Sequence, residues 1–78
     1  MWEEEESVHG KKWEFKLSEF VVIIITHSKV NKMLCAIIPC AKSFNMVYRI
    51  YEKDIDLLKA KSLVKAKEAG WNISRIVF

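Results

Sequence analysis

Lys12-Trp13-Glu14-Phe15-Lys16-Leu17-Ser18 alternates polar and apolar side chains without a break. Successive side chains of a strand point to opposite faces, so Trp13, Phe15 and Leu17 share one face of a half-buried strand. The next run, Phe20-Val21-Val22-Ile23-Ile24-Ile25-Thr26, is almost wholly apolar and rich in β-branched residues. A strand of that kind is covered on both faces, which predicts a central position in a sheet for residues 20–26. Ser18-Glu19 between the two is either a bulge in one long bent strand or a very short turn, so the sheet has four to five strands.

Outward from this pair the pattern stays β-rich. His27 to Lys32 is a polar break, and Met33-Leu34-Cys35-Ala36-Ile37-Ile38 follows it up to Pro39. Together they predict a hairpin whose second strand stops at Pro39, which has no N–H to give to a ladder. A loop runs through Ala41-Lys42-Ser43. Met46 to Tyr51 is a further strand, with Met46, Tyr48 and Ile50 on one side and Val47, Arg49 and Tyr51 on the other. The period then changes. Asp54 suits an N-cap, Asp56 the first helical turn, and Lys65 and Lys67 the last, which predicts a helix over 54–69. Gly70 fits the left-handed position after it, with Trp71 packing back on Ala66 as in a Schellman stop. Asn72 to Phe78 is read as a last strand. The expected fold is α+β in β-β-β-β-α-β order: an antiparallel or mixed sheet with the helix packed on one face.

The chain has 78 residues, 51% of them hydrophobic and 29% charged, with 2 glycines and 1 proline. That is one domain's worth of chain, apolar enough to fold and poor in the loops from which active sites are commonly built. Residues 1–10 are read as an acidic N-terminal segment and 11–78 as the α+β domain. Six acids stand against three lysines in residues 1–19, whereas ten bases stand against four acids in the remainder. Glu3, Glu4, Glu5 and Glu6 are either a solvated tail or an acidic patch for a basic partner surface.

Two cysteines are too few for a disulfide framework, which predicts free thiols and a cytoplasmic location, the host cytoplasm if the chain is viral. Polar residues from His27 onward interrupt the longest apolar run, so no membrane span is expected, and the acidic start resembles no targeting segment. Cys35, Cys40, His9 and His27 lack the paired spacing of a zinc site. Cys35 is expected in the core and Cys40 as a surface or turn thiol. Cys40 and His27 have no orienting third group, and capping accounts for Asp54 and Asp56, so neither enzymatic activity nor a cofactor is expected.

Two features point to binding instead. Leu57, Ala60 and Val64 fall on one helical stripe, while Ile55, Leu58, Ala66 and Ala69 fall on a nearly opposite one, and one sheet can cover only one of them. A sheet with a two-faced strand and a single helix also leaves one face partly open. Aromatic anchors and flanking charges for a partner are then Trp13, Phe15, Arg49, Tyr51, Lys61 and Lys65, together with Glu3 to Glu6. The same aromatics, with Tyr48 and the lysine-bearing helix, also fit a small nucleic-acid-binding module that stacks bases and meets phosphate.

From Met46 to Phe78 the order strand, acid-capped helix, Ala69-Gly70-Trp71, strand resembles the ending of very small phage-encoded proteins that switch off host machinery. Among these are the host RNA polymerase inhibitor of short-tailed coliphages and some anti-CRISPR proteins. The resemblance implies a non-enzymatic inhibitor that blocks a larger host protein or complex, and a homodimer fits the same apolar surplus.

Overall fold

In the computed structural model, which describes residues 2–8, 10–28, 32–43 and 45–73, five strands precede a single helix. They are β1 (Trp2–Ser7), β2 (Gly10–Lys16), β3 (Val22–His27), β4 (Leu34–Pro39), β5 (Val47–Glu52) and α1 (Ile55–Glu68). The strands form one antiparallel meander in the order β1-β2-β3-β4-β5. The fold is therefore α+β, with the helix after the fifth strand.

The extra strand lies at the N-terminus. Glu3 to Glu6 are not a solvated tail: β1 pairs with β2 along its whole length, from Trp2 opposite Phe15 to Ser7 opposite Gly10. Trp2 anchors the strand by packing 5.2 Å, centroid to centroid, from the Phe15 ring. Lys11 and Lys12 of β2 meet Glu4 and Glu5 across the pair. Consecutive acids can thus sit in a ladder when the neighbouring strand supplies an apolar partner to Glu4 and cationic partners to Glu5 and Glu6, with only Glu3 opposite another acid, Glu14. Of the strand read at 72–78, residues 74–78 lie outside the described residues, and Asn72 and Ile73 are not in a strand.

Ser18-Glu19 belongs to a turn, so residues 12–26 are two strands. The Val21 carbonyl accepts from the N–H groups of Leu17 (2.8 Å) and Ser18 (3.1 Å), and the Ser18 hydroxyl accepts from the Phe20 N–H. This turn takes Phe20 out of the central strand, where its apolar run had placed it, and leaves it 92% exposed.

Core residues come from one side of the sheet and one side of the helix. Trp13, Ile23, Ile25, Leu34, Ala36 and Ile38 face Leu58, Leu63 and Ala66, with Phe15, Tyr48, Ile50, Trp71 and Ile73 packed around them. The helix thus buries the stripe containing Leu58, Ala66 and Ala69, and leaves Leu57 and Val64 nearly half exposed. Small residues at 66 and 69 allow the close approach. The Asp54 carboxylate caps α1 by accepting from the Asp56 and Leu57 N–H groups, and the predicted Schellman stop is formed: Trp71 N–H to Ala66 O (3.1 Å), Gly70 N–H to Lys67 O (3.2 Å).

Candidate interaction surface

Because strand side chains alternate, the residues between the core positions line the opposite sheet face, which no element among the described residues covers. The strand register assembles one row across all five strands: Glu3 opposite Glu14, Glu14 opposite Ile24, Ile24 opposite Ile37, and Ile37 opposite Arg49. Its centre is apolar, its β1–β2 end acidic and its β5 end cationic. Cys35 and Tyr51 form a second pair on this face and Pro39 and Val47 a third. Tyr51 and Val47 are exposed, and Ile24 and Ile37 are half-buried.

Local electrostatics separate the two ends. Lys12 sits between Glu14 (2.9 Å) and Glu5 (3.3 Å), and its hydrogen bond to Glu14, then that to Glu5, hold the ammonium pKa above its ordinary value. Those contacts neutralise part of the acidic end, whereas Glu3 and Arg49 make no ion pair among the described residues.

The sequence-predicted residues divide by face. Glu3 and Glu5 of β1 and Arg49 and Tyr51 of β5 lie on the open face. Glu4 and Glu6 lie on the other side of β1, where Glu4 meets Lys11 at 3.5 Å. Trp13 is buried and Phe15 packs on Trp2, so both serve the covered face instead of presenting stacking platforms. Lys61 and Lys65 flank β5 from the helix side. Lys61 pairs with Glu52 at 2.9 Å, and Lys65 lies 4.5 Å from the centroid of the Tyr48 ring and 3.6 Å from Glu68. Beside them a groove of about 330 Å³ is lined by Ile50, Ala60, Lys61, Val64, Lys65 and Glu68.

The chain matches no protein-family model, no curated protein and no solved structure. Among the described residues no group of three or more His, Cys, Asp and Glu side chains converges; His9 lies outside them. Cys35 and Cys40 are both free and buried. Cys40, expected as a surface or turn thiol, lies directly after β4 and is buried under the helix stop, where its Sγ lies 3.9 Å from the Ala69 carbonyl oxygen. No described helix is long and apolar enough to cross a membrane.

Sequence reading passed over Ile24, Ile37 and Val47 as surface residues. The signal was present in the two-faced character of residues 20–26, but an apolar run does not say which of its faces is the covered one.

Proposed function

We propose that the protein is a non-enzymatic interaction protein that acts by covering a functional surface of a larger protein or complex. The observation that carries this reading is the Glu3-Glu14-Ile24-Ile37-Arg49 row. An apolar centre with opposite charges at its two ends suits a protein surface that has an apolar middle, an acid facing Arg49 and a base facing Glu3. The centre supplies affinity by desolvation, and the charged ends set orientation and suppress wrong partners. Such binding blocks by occupancy alone, the mode of action implied by the resemblance to small phage inhibitors.

A nucleic-acid role has less support. Lys61 and Lys65 are engaged with Glu52, Glu68 and Tyr48, and Trp13 is buried.

The test is affinity capture from host lysate with the wild-type chain and with Ile37→Glu and Arg49→Glu variants whose circular dichroism is unchanged. A protein retained by the wild type and lost from both variants supports the reading. Equal retention by both overturns it, as does capture of nucleic acid that is lost at about 200 mM salt.

A further inference from the structure

The two outer strands of the sheet differ in how they guard their edges. β1 carries Glu3, Glu4, Glu5 and Glu6 in sequence, so pairing with a second β1 brings carboxylates face to face. β5, Val47-Tyr48-Arg49-Ile50-Tyr51-Glu52, has no lysine or proline and carries one charge of each sign, Arg49 and Glu52, so an antiparallel copy does not have to set like charges opposite one another. The groove beside it, lined by Ile50, Ala60 and Val64, extends the apolar surface onto the helix.

We propose that β5 is a homodimer interface, pairing antiparallel with β5 of a second copy about a two-fold axis at Ile50. This goes beyond the open-face reading, because it uses the strand edge and leaves the apolar centre of that face, Ile24 and Ile37, uncovered in both copies. A two-fold axis perpendicular to the sheet places one residue opposite its own copy, which leaves few registers. Centring on Arg49 sets two guanidinium groups against each other. Centring on Tyr51 sets Ile50 against a carboxylate and Arg49 against Lys53.

Centring on Ile50 is self-complementary. Ile50 meets Ile50, and Arg49 lies opposite Tyr51 of the second copy twice over, within reach of cation–π contact. Glu52 of the second copy lies opposite Tyr48, whose ring already carries the Lys65 ammonium at 4.5 Å. The partner's acid thereby approaches a cation. The same axis turns the half-exposed Val64 stripe of each helix toward the other copy, giving the second helical stripe a use.

Sedimentation equilibrium across about 5–500 µM tests the assembly. The expected result is a species of twice the 9.2 kDa chain mass. Arg49→Glu and Val64→Glu are each expected to raise the dissociation constant about tenfold with circular dichroism unchanged. Cysteine crosslinking tests the register in a Cys35→Ser, Cys40→Ala background. Ile50→Cys is expected to form a disulfide-linked dimer on mild oxidation, since opposed residues lie within disulfide range, and Arg49→Cys is not. A folded monomer at 500 µM, masses that grow past the dimer, or linkage through Arg49→Cys but not Ile50→Cys each overturns the proposal. A monomer that still captures a protein through Ile37 and Arg49 leaves the open-face reading standing.

Discussion

The Trp71 indole N–H donates to the Pro39 carbonyl at 2.7 Å, tying the residue after the helix stop to the last residue of β4. Proline can donate nothing to a ladder, but its carbonyl still needs a partner, and here a side chain 32 residues downstream supplies one. Trp71→Phe keeps most of the ring and removes the donor. The expected loss is about 0.5–1.5 kcal/mol, or a melting temperature lower by several degrees. Thermal unfolding checks it, and an unchanged melting temperature would show that water replaces the bond without loss.

Gly70 is the hinge of the same corner. Its φ is +101°, where side chains are strained, and a Cβ built there comes within 3.2 Å of the Ala41 Cβ. Gly70→Ala is therefore expected to destabilise by about 1–2 kcal/mol, more than an exposed substitution on the helix. Because backbone angle and contact both oppose it, trimming the neighbour with Ala41→Gly should recover only part of the loss. Full recovery in denaturant titrations would mean that the contact alone mattered.

How much of this was legible in the sequence depends on the range of the interaction. Asp54, Gly70 and Trp71 act on groups within a few residues, so their chemistry announced the cap and the stop directly. Trp13, Ile23 and Ile25 were legible as strand residues because alternation and β-branching are local. β1 was not, because four consecutive glutamates look like a tail until Trp2 finds Phe15 and the lysines of β2. Phe20 was misplaced because a hydroxyl and a carbonyl in the turn outweigh its strand propensity. The open-face row was signalled only by the two-faced run at 20–26, for a different reason: the row itself exists only once the register brings five strands side by side.

Ser62 is a buried polar residue in the core, and its hydroxyl donates to the Leu58 carbonyl at 2.7 Å, back along its own helix. That bond satisfies the hydroxyl but adds little, because the carbonyl is also the acceptor of the regular helical ladder. Ser62→Ala removes donor and need together, and alanine is the better helix former by about 0.5 kcal/mol. Stability should stay within about 0.5 kcal/mol of the parent or rise. Leu63→Ala next to it opens a cavity and should cost about 2–5 kcal/mol. Urea titration compares them; a loss above about 1.5 kcal/mol for Ser62→Ala would reveal a partner beyond Leu58.

Glu52 accepts from the Lys61 ammonium at 2.9 Å and from the Lys53 N–H at 3.0 Å, and these bonds, Lys61 first, hold its pKa below the ordinary value of 4.5. A carboxylate whose folded pKa is depressed contributes stability above its unfolded pKa and loses it as pH falls through the folded value. The pair that ties α1 to the edge of β5 is thus expected to weaken from pH 4.5 downward. Lys12 has the opposite sign: its raised pKa contributes stability below 10.5 and loses it as pH rises through the folded value. Glu52→Gln should therefore flatten the acid limb of a stability–pH curve relative to the parent and leave the alkaline limb alone, while Lys12→Met does the reverse. Both effects should shrink in about 0.5 M salt, because the pairs are solvent-exposed. Denaturation midpoints between about pH 2.5 and 11 decide it, and an acid limb unchanged in Glu52→Gln would show that the tie adds no pH-dependent stability.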